Sequence, residues 1–227
     1  LNSYSQFGED RLILDYFNKR DGVFVEIGAN DPITLSQTYL FELNGWTGVL
    51  VEPLPHLAER LRVSRPDSIV FECAAASPDR CGEAIMYTGN NDSLASLGAE
   101  TGGDKVTVRT RTMDDILEEA GLENIDFLSM DVEGFEMEVF SGFDLKRWAP
   151  ALILIEDHVH DLQKHRHLVS QGYKLVNGMG CNGWYAPSHQ DWSGPCQLSI
   201  FERLRKYYLA LPLRKLKLFV KRQSSGH

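Results

Sequence analysis

Residues 23–31 read VFVEIGAND, a near-continuous apolar run that ends at one glycine flanked by the acids Glu26 and Asp31. Val23, Phe24, Val25 and Ile27 are β-branched or aromatic with little polar alternation, the pattern of a parallel strand covered on both faces. Gly28, Ala29 and Asn30 are small enough to let a ligand approach the backbone. Apolar positions at Leu35, Tyr39, Leu40 and Leu43 then predict a helix over 34–43. Strand, tight turn and helix in that order put a ligand at the carboxyl end of the strand. A dinucleotide site needs three spaced glycines to rest a pyrophosphate on helix amides. Only Gly28 is present here, and carboxylates beside it repel a diphosphate. They attract a phosphate-free ligand that carries an ammonium and a sulfonium, which is the charge pattern of S-adenosylmethionine.

A second apolar strand over 48–51 ends at Glu52, roughly 20 residues past the glycine turn, where a carboxylate bridging ribose hydroxyls is expected. Pro53 and Pro55 mark a turn, Leu57 and Leu61 fall on a helix ending near Pro66, and 68–73 makes a third strand. Ala74, Ala75 and Ala76 beside Cys73 leave room for a flat adenine ring. Residues 83–88 and 105–111 alternate like half-exposed strands around a polar, glycine-rich stretch that reads as a closing loop. Thr112 with Asp115 resembles a capping box for a helix to Ala120, with Gly121 just beyond it.

The next strand, 125–130, ends at Asp131 and is followed by a helix over 134–140. Another, 151–155, ends at Glu156, Asp157 and His158. A helix over 162–172, strands over 173–176 and 197–201, and an irregular connection over 177–195 complete the pattern. Strands alternating with helices at this spacing predict an α/β doubly wound, mostly parallel sheet. Glu52, Asp131, Glu156 and Asp157 then share the sheet edge of Gly28 and converge on one crevice.

A length of 227 residues fits one large domain, and 43% apolar with 24% charged residues excludes a disordered chain. No CxxC pair or zinc-finger spacing joins Cys73, Cys81, Cys181 and Cys196, so they read as free thiols, with a bond between the last two as the alternative. Net charge is −9, but eight of the 23 basic residues and no acid lie in 203–227, leaving 15 bases against 32 acids before them. Such an acidic body repels nucleic acid. The longest aliphatic run, 151–155, is too short to span a bilayer, and the amino terminus lacks a signal-peptide pattern, so a cytoplasmic location is expected. The chain starts at Leu1 rather than a methionine, which leaves open that it is part of a longer protein.

YSQFGED at 4–10, VFVEIGAND at 23–31, GVLVEP at 48–53 and MDVEGFEMEVFSG at 130–142 resemble, in that order and spacing, the signatures of the FkbM family of S-adenosylmethionine-dependent methyltransferases. The resemblance covers about residues 4–200. It implies the class I methyltransferase, Rossmann-like fold, a seven-stranded sheet with an antiparallel last strand. It also implies O-methylation of a sugar or polyketide hydroxyl, as in polysaccharide or glycoconjugate biosynthesis. Glu26, Gly28 and Asn30 would face the methionine part of the cofactor, Glu52 its ribose, and Cys73 and Ala74 its adenine. Gln6 and Glu9 are candidates for the same pocket, against the alternative of ordinary capping on a lid-side helix.

Methyl transfer needs an aligned oxygen that sheds a proton. A bound Mg²⁺ would lower that oxygen's pKa, and Asp131, Glu156 and Asp157 are the candidate ligands. The arrangement resembles the metal site of catechol O-methyltransferase and of macrolide-sugar O-methyltransferases. Asp131 and Glu133 are candidate catalytic residues with His158 as general base; His160 is a weaker candidate, and His165 and His167 read as solvent-facing. Glu133, Glu136 and Glu138 read as the wet face of a helix, with Glu133 also within reach of the site. Residues 90–93 with Trp184 and Tyr185 form a candidate acceptor lid. The domain is expected over 1–202, including a helical lid segment 1–22, with a basic tail over 203–227. Within the tail, 203–222 reads either as an interfacial helix at the inner membrane face or as a cover for the body or a homodimer partner. Two other readings remain open: a non-catalytic module of a larger biosynthetic protein, and a nicotinamide-dependent oxidoreductase.

Overall fold

The computed structural model describes residues 2–88, 96–97, 104–156 and 162–194. Residues 90–93, Asp157, His158, His160, Cys196, the strand expected over 197–201 and the tail from 203 lie outside them.

Seven strands form the main sheet: β1 Val23–Ile27, β2 Thr47–Val51, β3 Ser68–Phe71, β8 Phe127–Met130, β9 Leu152–Glu156, β10 Tyr173–Met179 and β11 Asn182–Pro187. Their order is β10-β11-β9-β8-β1-β2-β3. The pairs from β3 to β9 are parallel, and β11 runs antiparallel to both β9 and β10. This is the expected class I topology with its antiparallel last strand, and β1 lies inside the sheet between β8 and β2, as its near-continuous apolar run predicts. A second sheet, β4 Ala74–Ala75, β5 Gly82–Tyr87, β6 Ser96–Leu97 and β7 Lys105–Arg111, holds the two alternating stretches in an antiparallel pair.

The strict alternation of strand residues splits the core in two. Val25, Ile27, Leu128 and Ile153 pack under α4 Met113–Glu119, α5 Glu136–Ser141, α6 Leu145–Trp148 and α7 Gln163–Ser170. Phe24, Leu50, Phe127 and Leu154 pack under α1 Glu9–Phe17, α2 Tyr39–Glu42 and α3 Pro55–Ser64. The N-cap half of the expected capping box is present: Thr112 Oγ1 accepts from the Asp115 N–H at 3.1 Å.

Several local expectations are corrected. The helix expected over 34–43 is the single turn α2; ahead of it Ser36, Gln37 and Thr38 bond to Glu26 and the Pro32 carbonyl accepts from Arg65. The connection expected over 177–195 contains the end of β10 and all of β11, joined by a tight turn with Gly180 at φ 55°. Trp184 and Tyr185 are therefore fully buried strand residues, on opposite faces of a covered strand, and form no lid. Glu136 is buried and paired with Lys164 at 3.4 Å rather than on a wet face. His165 and His167 are half-buried; His167 stacks on Phe140 at 4.6 Å, and burial lowers its pKa.

Candidate active site

Gly28 ends β1 at φ 81°, and a Cβ there would lie 1.9 Å from the Asp131 carbonyl oxygen. Only glycine lets the ends of β1 and β8 run this close. Beyond the two strand ends opens a cavity of about 530 Å³, within the range of small-molecule sites. Of the expected cofactor residues, Gln6, Glu26, Gly28, Asn30 and Glu52 line it, together with Cys73, Ala74 and Asp131.

On the β2 side, Glu52 is buried; Oε2 accepts from the Asn30 N–H at 2.9 Å and Oε1 from the Leu54 N–H at 2.9 Å. Its place on the cavity wall, at the end of β2, is where ribose hydroxyls are expected. Burial pushes the Cys73 thiol up to about 12, leaving an uncharged, compact wall beside Ala74. Cys73, Cys81 and Cys181 are free thiols.

The acids nearest the glycine turn serve the protein itself. Glu26 accepts from the Gln37 N–H at 3.0 Å and from Thr38 Oγ1 at 2.5 Å, which fixes the 31–38 loop. Burial raises its pKa, although the Arg65 charge and these hydrogen bonds act against the rise. Asp31 accepts from the Ile33 and Thr34 N–H groups and pairs with Arg60 at 2.7 Å. Burial would lift its carboxyl, but those bonds prevail and hold it below the usual carboxylate range.

On the β8–β9 side, Asp131, Glu133 and Glu156 each bring a carboxylate oxygen within 4.8 Å of the others. Glu133 reaches this cluster from a chain reversal in which it takes φ 50° and Gly134 φ 96°. Asp131 and Glu133 are exposed and Glu156 is half-buried, and Asp131 opens into the cavity beside the other two carboxylates. Its carboxyl is pushed up to about 8, first by desolvation and then by the charges of Glu156, Glu133 and Glu136. Like charges this close do not all ionise without a counter-charge. Three hard oxygens suit a divalent cation. Across an ion at about 2.1 Å two ligands stand up to about 4.2 Å apart, and across one at about 2.5 Å up to about 5 Å. The structure thus joins Asp131 and Glu156 of the expected metal set with Glu133 from the expected catalytic set.

Glu9 is not on the cavity wall. Fully buried behind it, Glu9 accepts from Asn182 Nδ2 at 2.6 Å, Trp184 Nε1 at 2.8 Å and Gln37 Nε2 at 3.5 Å. Burial raises its pKa against the pull of these three donors. Its neighbour Asp10 accepts from Tyr4, Ser5 and Ser3, so the segment 3–5 is pinned to the start of α1. Gln37 and Asn182 line the cavity and escaped the sequence reading. Gln37 lay inside an expected helix and Asn182 inside an expected loop, and no local pattern distinguishes either.

The Methyltransferase FkbM domain model matches residues 26–175. The 2-O-methyltransferase NoeI of Sinorhizobium fredii is 30% identical over 153 residues, 58% of this chain and 61% of that protein. The match therefore spans less than two thirds of that relative's length. Among solved structures, the METTL16 MTase domain superposes with a TM-score of 0.50 at 13% identity, over 81% of this chain and 67% of that one. That likeness shows the fold.

Proposed function

This chain belongs to the FkbM methyltransferase family, and on that premise we propose that it moves a methyl group from S-adenosylmethionine to a hydroxyl of a sugar or glycan. The observation that carries the reading is one cavity with Glu52 on its β2 side and the Asp131–Glu133–Glu156 cluster on its β8–β9 side. Glu52 would take the ribose hydroxyls, and Cys73 and Ala74 the adenine. Gly28 and Ala29 would let the sulfonium, which supplies the methyl group, approach the backbone. Asp131, Glu133 and Glu156 would hold a divalent cation such as Mg²⁺. When bound, such an ion polarises a coordinated oxygen and lowers its pKa.

Transfer is an in-line displacement, so the acceptor oxygen must be fixed against the methyl carbon while its proton leaves. Asp131 or Glu133 would receive that proton through a carboxylate oxygen not engaged by the cation, with His158 as the alternative base. An oxygen acceptor is supported by the similarity to a 2-O-methyltransferase. The sugar class is what the family resemblance implies.

The reading is tested with methyl-tritiated S-adenosylmethionine and a panel of mono- and oligosaccharides. Label is expected on a hydroxyl acceptor, lost in EDTA and restored by Mg²⁺, and reduced at least about 100-fold, the scale of a lost acid–base group, in Asp131→Asn. Undiminished transfer in EDTA would remove the cation from the account. Cofactor binding without transfer to any hydroxyl would overturn the proposed activity.

A further inference from the structure

We infer that Glu9 acts from behind the cavity wall as a positioning residue, turning the carboxamides of Gln37 and Asn182 so that their carbonyl oxygens seat the cofactor's α-ammonium group. The inference rests on the methyltransferase reading of the cavity. One oxygen of Glu9, Oε2, accepts from both Asn182 Nδ2 and Gln37 Nε2, so the two carboxamides stand side by side. The other, Oε1, accepts from the Trp184 indole, which can only donate. The amide nitrogens of Asn182 and Gln37 and the indole nitrogen of Trp184 all face Glu9 oxygens, so in each of these contacts the Glu9 side chain accepts. A carboxylate has no proton to give, so each carboxamide turns its NH₂ toward Glu9 and its oxygen away.

Both residues line the cavity. Gln37 Oε1 is closed off from solvent and has no hydrogen-bond partner among the described residues. A buried carbonyl oxygen in that state is costly until a donor arrives. The Asn182 oxygen is met by the Cys181 thiol at 3.7 Å, a weak donor that a stronger one can outcompete.

The occupant follows from charge and position. Two carbonyl oxygens backed by a buried carboxylate attract a cation that only donates and repel a carboxylate or phosphate; an ammonium has three N–H groups and no acceptor. Asn182 pairs with Glu156 in the sheet, and the Gln37 N–H is held by Glu26 of β1. Asn182 at the start of β11 is separated from β2, which leads into Glu52, by β9, β8 and β1. Separate seats along one cavity wall are what the nucleoside and amino-acid ends of a single ligand require.

The test compares two ligands by calorimetry. S-adenosylhomocysteine carries the amino-acid end, and 5′-methylthioadenosine is the nucleoside without it. Glu9→Gln keeps the shape but brings an NH₂ among three donors, so one carboxamide must flip or lose its acceptor. Gln37→Met keeps the length and removes the oxygen. In both variants S-adenosylhomocysteine is expected to weaken by about tenfold or more, about 1.4 kcal/mol, while 5′-methylthioadenosine stays within about twofold. Equal weakening of both ligands, or of neither, overturns the inference alone. A wild-type protein that binds neither ligand overturns it together with the methyltransferase reading. Should Glu9→Gln fail to fold, as judged by thermal melting, Gln37→Met decides by the same ratio.

Discussion

Gly28 is where backbone geometry and site chemistry coincide. A methyl group there meets the Asp131 carbonyl, which is backbone and cannot swing aside, in a φ range that L residues rarely take. Gly28→Ala is expected to cost about 2–4 kcal/mol through strain and overpacking, lowering the melting point by about 5–15 °C at this size. An unchanged melting point in calorimetry would show that β1 and β8 can part without loss. The catalytic-edge residues Gly28, Glu52, Asp131 and Glu156 are readable in sequence because each closes an apolar run, and strand ends fix their place. Glu26 and Asp31 read as ligand-facing because they flank the glycine turn; both line the cavity, and both are also held by loop N–H groups and by Arg65 or Arg60. Whether a strand-end acid serves a ligand or the fold depends on partners 10 or more residues away, such as Gln37 on Glu26 or Arg60 on Asp31, and those partners leave no local mark. Gln37 and Asn182 were unreadable because a carboxamide gains direction only from the carboxylate behind it.

The loop between β1 and α2 shows how an element is decided from outside its own sequence. Leu35, Tyr39, Leu40 and Leu43 have helical spacing, but Arg65 from the end of α3 reaches in, wholly buried. Its guanidinium bonds Glu42 at 2.7 Å, Thr38 Oγ1 at 3.0 Å and the Pro32 carbonyl at 3.3 Å. Ser68 Oγ also donates to Glu42. The loop is therefore tied at both ends to the sheet and to α3, and only one turn of helix forms. Arg65→Met removes the sole positive charge named in this network and leaves Glu26 and Glu42 buried without it, which is expected to cost about 3–5 kcal/mol. Urea unfolding measures this through its midpoint; a shift worth less than about 1 kcal/mol would mean the network adds nothing beyond packing. Strand β11 escaped the sequence reading for a related reason. Gly183, Trp184, Tyr185 and Ala186 show no alternation because β9 and β10 flank the strand and both faces are covered, while Asn182 and Pro187 resemble turn residues.

At the scale of the molecule, helices on both faces of one sheet leave its carboxyl edge as the place where loops from β1, β2, β8 and β9 meet. Fold class was readable because the alternation of strand and helix is a long-range regularity that survives errors in single elements. No helix among the described residues is long and apolar enough to cross a membrane. The central claim is that this edge binds an adenosyl sulfur cofactor with Glu52 on the ribose. Calorimetric titration with S-adenosylhomocysteine, which cannot react, tests it most directly, with Glu52→Gln titrated beside the wild type. Saturable binding at one site is expected, weakened about tenfold or more when Glu52 loses its charge, on the scale of charge-assisted hydrogen bonds. Absence of binding in the folded wild-type protein would contradict that claim.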